Sequence, residues 1–151
     1  MKLVELLIHK QLKITTAESC TGGLIAKQIT DVAGSSACFE MGFVTYCDRA
    51  KTELLGVKPE TLEKHTAVSA PVAQQMAQGA LAKSGADIAV SVTGNAGPSG
   101  EPLGRVYIGI SGRCGTVVHT CDFAGDREQV RAEAAKAAQG FAAEYIVDYF
   151  R

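Results

Sequence analysis

The sequence predicts an α/β protein of three layers, with helices on both faces of a mixed five-stranded sheet. Three observations carry that expectation. Helical and strand patterns alternate from the N-terminus through Thr93, which in compact folds builds parallel strands joined by crossover helices. The strand pattern from Asp87 to Thr93 is almost wholly apolar (Ile88, Ala89, Val90, Val92), as a strand covered on both faces must be. Two alternating runs, Arg105 to Ser111 and Thr116 to Phe123, then close around Gly112-Arg113-Cys114-Gly115 as an antiparallel hairpin.

The elements follow in order. Lys2 to Lys10 reads as an amphipathic helix with Leu3, Leu6 and Leu7 on its buried side. Lys13 to Ala17 is the first strand. A helix then begins at Thr21 or Gly22 and runs to Thr30, with Gly34 ending its exit loop. Phe39 to Tyr46 is the second strand, in which Gly42 marks a bulge or a close backbone approach. Asp48 is the expected N-cap of a short helix that Gly56 closes, and Pro59 to Glu63 adds one further turn. Ser69 caps a longer helix, Ala70 to Ser84, closed by Gly85. Asp126 caps the last, which carries Val130, Ala134, Ala137, Phe141, Tyr145 and Val147.

Composition narrows the function classes. The 151 residues are 46% hydrophobic and 21% charged, which fits one folded domain over 1–151 and argues against disorder. A net charge of −1 provides no electrostatic footprint for nucleic acid. No apolar run approaches the ~20 residues of a membrane span. Glu5 interrupts the apolar N-terminus and no small-residue cleavage site follows, so a cytoplasmic location is expected. The cysteines at 20, 38, 47, 114 and 121 are odd in number and form no C-x-x-C pair. Reduced thiols, no metal site and no cofactor are therefore expected. His9, His65 and His119 are read as surface or edge residues.

The chain is organised around Thr15-Thr16-Ala17-Glu18-Ser19-Cys20-Thr21-Gly22-Gly23, a strand end, a tight polar turn and a helix start. Unpaired N–H groups and the positive end of a helix dipole there face small hydroxyl and thiol side chains, an arrangement that suits an anion or a developing oxyanion. Helix capping and close helix–strand packing account for the same pattern without chemistry. Two further loops, Tyr46 to Lys51 and Gly94 to Gly104, leave other strand ends and should gather at the same sheet edge, where α/β folds bind ligands. Ser19 could act as a nucleophile, but no histidine lies nearby and the G-x-S-x-G elbow is absent. Lys51 is an alternative base, since a desolvated lysine can be neutral near pH 7; on local pattern alone it is more commonly a surface residue. The 94–104 loop lacks G-K-[ST], which excludes a P-loop. Arg127 and Arg131, four apart near a helix start, could hold a phosphate monoester or could pair with Asp126, Glu128 or Glu133 on a solvated face.

Thr16 to Gly23, Gly34-Ser35-Ser36, Gly42 to Tyr46, Ala50-Lys51, Leu55-Gly56-Val57, Ala67-Val68-Ser69 and Thr93 to Pro98 together resemble the CinA C-terminal domain family, in the same order and over nearly the whole chain. That resemblance implies hydrolysis of the carboxamide of nicotinamide mononucleotide to nicotinate mononucleotide and ammonia, a three-layer α/β/α fold and a homo-oligomer, dimer or higher. By the same resemblance Ser19 is the nucleophile and Lys51 the base, with Tyr46 beside it. By it, too, Thr93 and the Gly94 to Pro98 loop (with Asn95, Ala96 and Gly97) line the nucleotide pocket; Cys20, Thr21, Gly22, Gly23, Arg127 and Arg131, read from the residues themselves, complete the expected substrate-binding set. The chain departs from the family pattern at Cys47-Asp48, where Ser-Asn is usual, at Asn95, at Arg105, and in a shorter loop before Gly104. The runner-up expectation is a nucleotide-binding, competence-associated paralogue with little or no activity.

Overall fold

The computed structural model describes residues 2–151. Its sheet has the order β2-β1-β3-β4-β5, with β1 (Ile14–Glu18) central to a parallel trio and β4 (Arg105–Gly112) and β5 (Gly115–Asp122) added antiparallel. β2 (Phe43–Val44) and β3 (Ile88–Gly94) flank β1. On one face lie α1 (Leu3–His9), α2 (Leu24–Thr30) and α6 (Arg127–Tyr149). On the other lie α3 (Asp48–Leu55), α4 (Pro59–His65) and α5 (Ala70–Ser84). The three-layer mixed α/β architecture expected from the sequence is the one observed.

β3 shows why this strand had to be apolar. Ile88, Val90 and Val92 pack into the core shared with Leu7, Ile25, Ile29, Ala138 and Ile146, while Ala89 enters the opposite core with Val72, Met76 and Ala80. Its polar residues are satisfied as they are buried: Ser91 Oγ donates to the Ala73 carbonyl at 2.6 Å and Thr93 Oγ1 to that of Ala67 at 2.8 Å. Both bonds tie the strand to α5 and the loop before it.

Several boundaries differ from the sequence expectation, each for a local reason. α2 begins at Leu24 and not at Thr21 or Gly22, because Gly22 and Gly23 adopt φ of 57° and 105°, outside the helical region. The second strand is far shorter than Phe39 to Tyr46. Only Phe43–Val44 pair with β1, and Phe39 contributes a single isolated bridge to Ile14. Between them Thr15 Oγ1 donates to the Met41 carbonyl at 2.9 Å, and Gly42 lies so close to Thr16 Oγ1 that a side chain there would collide. Gly42 is thus a close approach.

At the start of α3 the N-cap position belongs to Cys47, and Asp48 is the first helical residue. α4 extends beyond Glu63 to His65. The hairpin turn narrows to Arg113-Cys114, with Gly112 and Gly115 inside the strands. α6 is capped as expected: the Asp126 side chain accepts from the Gln129 N–H, and Gln129 reaches back to the Asp126 N–H. Val147 faces solvent instead of the core, where Ile146 takes the buried position. All five cysteines are free thiols. Among the described residues no helix is long and apolar enough to cross a membrane.

Candidate active site

The signature turn leaves the C-terminal end of β1, and hydrogen bonds extend the parallel ladder one step beyond the strand. Ser19 N–H donates to the Val92 carbonyl at 2.9 Å, and Thr45 N–H to the Glu18 carbonyl at 2.8 Å. Glu18 and Ser19 therefore occupy fixed, opposite faces of the sheet. Glu18 is wholly buried and caps α2, accepting from Ile25 N–H at 2.9 Å and Ala26 N–H at 3.1 Å. A carboxylate at a helix N-terminus is favoured by charge and by unpaired donors together. This role had a signal in the sequence, an acidic residue just ahead of a helix start, but the left-handed glycines hid which N–H groups it would reach.

Ser19 points to the α3 side, and the residue it meets there is Lys51. Lys51 Nζ lies 2.9 Å from Ser19 Oγ, 2.8 Å from the Thr45 carbonyl and 3.4 Å from that of Tyr46. The lysine is 1% exposed and Ser19 is 8% exposed. Burial lowers the Lys51 pKa, because the charged form loses hydration; Asp48 most of all, then Cys47 and Cys20, act in the opposite direction and are outweighed.

The geometry defines what this lysine can do when neutral. An amine has two N–H bonds and one lone pair. Two carbonyls take the two N–H bonds, which leaves the lone pair for the Ser19 hydroxyl proton. Asp48, on the outward side at the start of α3, is exposed and forms no ion pair with Lys51 among the described residues. Beside Ser19 the Cys20 thiol is pushed up to about 11, chiefly by burial, so it stays protonated. The N–H groups of Cys20, Thr21 and Gly23 have no protein partner among the described residues.

The other expected site residues converge on the same edge, in ways the spacing did not reveal. Arg131 donates from Nε to the Cys20 carbonyl at 2.9 Å and from Nη2 to that of Thr21 at 3.2 Å, and so braces the turn. Arg127 donates from Nη1 to the Gly97 carbonyl at 2.6 Å and from Nη2 to the Tyr46 hydroxyl at 2.8 Å. Neither arginine pairs with Asp126, Glu128 or Glu133, so the solvated-face alternative does not hold. The Tyr46 side chain is 60% exposed and reaches toward Arg127; only its carbonyl approaches Lys51. Thr93 and Ala96 are buried at the end of β3. The backbone of Asn95 pairs with Gly104 and Arg105, and its side chain donates to the Pro102 carbonyl at 3.2 Å, closing the loop on itself. Gly94 sits against Val106 and the Arg105 carbonyl, where a Cβ would be under 3 Å from both. Arg105 itself turns away to Asp122 at 2.6 Å. A separate surface groove of about 450 Å³, lined by Asp48, Arg49, Thr52, Pro59 and Leu62, shares no lining residue with the Ser19–Lys51 pair.

A mixed α/β sheet that presents a buried serine–lysine pair beneath a glycine-rich turn, ringed by two arginines, defines a class of α/β protein with a polar site at its parallel strand ends. Within that class the chain belongs to the CinA family: the model of the CinA C-terminal domain matches residues 1–146. It is 57% identical over 127 residues to the nicotinamide-nucleotide amidohydrolase PncC of Enterobacter agglomerans, covering 81% of this chain and 77% of that protein. It is 50% identical over 145 residues to a CinA-like protein of Chlorobaculum tepidum, covering 90% of this chain but 34% of that longer one. Among solved structures, a CinA superfamily protein from Klebsiella pneumoniae superposes with a TM-score of 0.94 at 38% identity, covering 97% of this chain and 94% of the other.

Proposed function

We propose that the chain is an amidohydrolase that converts nicotinamide mononucleotide to nicotinate mononucleotide and ammonia, with Ser19 as nucleophile and Lys51 as general base. The observation that carries this reading is the buried Lys51 Nζ, 2.9 Å from Ser19 Oγ and 2.8 and 3.4 Å from the Thr45 and Tyr46 carbonyls. The likeness to a nicotinamide-nucleotide amidohydrolase supports the choice of substrate.

Ser19 Oγ attacks the carboxamide carbon as its proton passes to Lys51 Nζ. The free N–H groups of Cys20 and Thr21 receive the negative charge that develops on the carboxamide oxygen, a term worth about 3–4 kcal/mol per donor in comparable sites. As the tetrahedral intermediate collapses, Lys51 Nζ returns the proton to the carboxamide nitrogen, the C–N bond breaks and ammonia leaves. Water then hydrolyses the acyl-serine to nicotinate mononucleotide. The remaining N–H bonds of Arg127 and Arg131, beside Thr21, Gly22, Gly23 and the 94–97 segment, hold the phosphate. A homo-oligomer belongs to the same reading and is tested by light-scattering mass.

The deciding experiment measures ammonia released from nicotinamide mononucleotide, with nicotinamide and its riboside as controls. Binding of the nucleotide with no ammonia release would overturn the amidohydrolase reading in favour of a nucleotide-binding paralogue.

A further inference from the structure

The sheet ends on one side in β2, two residues long, and on the other in β5, which pairs with β4 through all eight of its residues without a bulge. That register fixes which groups of β5 face outward. Gly112 and Gly115 close a tight turn and so exchange both backbone hydrogen bonds, and Phe123 N–H donates to the Gly104 carbonyl at 3.0 Å in the same phase. Pairs between these ends alternate, so the N–H and C=O groups of Thr116, Val118 and Thr120 point away from β4. Among the described residues nothing takes them up.

An open edge of this length is a template for another strand, and proteins that keep such an edge single interrupt it with lysine, proline or a bulge. Gly115 to Asp122 has none of these. Its one charged residue, Asp122, lies at the far end and is held by Arg105 at 2.6 Å. Val117 is 39% exposed, and Val118 belongs to neither apolar core.

We propose that β5 pairs with β5 of a second copy of this chain, antiparallel about a two-fold axis at Val118, so that the two sheets continue as one. This rests on the homo-oligomer included in the reading above and not on the chemistry of the site. The composition of the strand selects both partner and register. With the axis at Val118, Val118 meets Val118, Thr116 meets Thr120 and Val117 meets His119, apolar and hydroxyl pairs of the kind that stabilise neighbouring strands. The outward N–H and C=O groups of Thr116, Val118 and Thr120 then all find partners across the axis. The axis stands perpendicular to the sheet, which keeps α6 of both copies on one face and α5 on the other. On the α6 face Val117 shares a groove with Glu144 and Asp148, so each copy sets its His119 imidazole beside an acidic wall of the other. An axis at His119 would oppose that residue to itself and bring Asp122, already committed to Arg105, against Thr116. Pairing of β5 with the β2 edge of another copy would engage the two residues of β2 alone and leave an open chain of subunits, whereas the two-fold pair closes.

Light scattering of the unmodified protein should give at least twice the 15.8 kDa of one chain. Val118→Lys and Val118→Glu each place like charges opposite one another at the axis, and each should halve that mass. Mixed in equal amounts, the two variants should restore it, because lysine then faces glutamate. Hydrogen exchange needs no variant. In the unmodified protein the amides of Thr116, Val118 and Thr120 should exchange as slowly as those of Val117 and His119, which bond β4. Either variant keeping the full mass would overturn the pairing, as would fast exchange at Thr116, Val118 and Thr120; where a variant does not fold, exchange decides. Halved masses that mixing does not restore would overturn the axis at Val118. An unmodified protein with the mass of one chain would remove the homo-oligomer and the pairing together and leave the edge to an extended peptide, while ammonia release would still judge the amidohydrolase reading on its own.

Discussion

The titration of Lys51 can be read from folding as well as from turnover, and the two must agree. Burial lowers its pKa in the folded protein, whereas in the unfolded chain it returns to about 10.4. Between those two values the unfolded state carries one more proton than the folded state, so stability rises with pH at about 1.4 kcal/mol per pH unit. The cost of burying this lysine is thus largest below its folded pKa, where it is charged in both states, and vanishes above ~10.4. Lys51→Met fills the same channel and cannot titrate, so it serves as the reference. As pH rises toward ~10.4 the unmodified protein should therefore gain stability on the Met variant, at up to about 1.4 kcal/mol per pH unit. Urea unfolding at a series of pH values measures this, and the other titrating groups largely cancel in the difference. The basic limb of kcat/KM should rise through the same lower bend. Lys51→Arg should abolish turnover, because arginine does not give up its proton. A stability difference that stays flat from pH 7 to 10 would mean that Lys51 remains protonated in the fold, and the reaction would lose its assigned base.

Other outcomes follow from the same site. Ser19→Ala should lose nearly all ammonia release while keeping nucleotide binding by calorimetry, since it deletes the bond-forming atom; substantial residual turnover would move the attack to Thr21 or to water. Arg127→Ala or Arg131→Ala should raise KM for the nucleotide about 10-fold or more, and the riboside should be a poor substrate of the unmodified protein; equal turnover of riboside and nucleotide would remove the phosphate clamp. Glu18→Gln should lower unfolding stability by about 1.5–3 kcal/mol, seen as a lower urea midpoint, because charge-assisted bonds to Ile25 and Ala26 N–H are weakened.

The layers of this fold were legible because each depends on a local period. The apolar 88–92 run reads as a doubly covered strand, and Asp126 as the cap of the last helix, and both are found so. The edge strand was not legible in length, since pairing at 39–46 is decided by contacts from β1, where Thr15 and Thr16 pull Met41 and Gly42 out of register. Likewise Lys51 reads locally as a surface residue of a short polar helix. Its burial arises from three separate segments that enclose it: the Ser19 turn, the Thr45–Tyr46 carbonyls and the start of α3 itself. The arginines show the same limit from the other side. Spacing put Arg127 and Arg131 on one helix face, but only the assembled loops show that they brace the backbone of the turn and of the 94–104 segment.

Tyr46 is where the family resemblance and the geometry lead to different expectations, and one substitution separates them. A tyrosine working beside the base would place its hydroxyl near Lys51 or Ser19, and its loss would lower kcat by ~100-fold or more. Here the hydroxyl accepts from Arg127 Nη2 at 2.8 Å, while the same guanidinium holds the Gly97 carbonyl through Nη1. Two neutral oxygens thus fix the plane of Arg127 and leave its Nε–H free for a third acceptor. In this arrangement Tyr46 acts on binding, by orienting the cation that meets the phosphate. Tyr46→Phe should then raise KM about 5-fold, the worth of roughly 1 kcal/mol for one hydrogen bond, and leave kcat within about twofold. The riboside, which lacks the phosphate, should show no change in KM on the same substitution. A kcat loss of ~100-fold shared by nucleotide and riboside would instead bring the phenol into the chemical step.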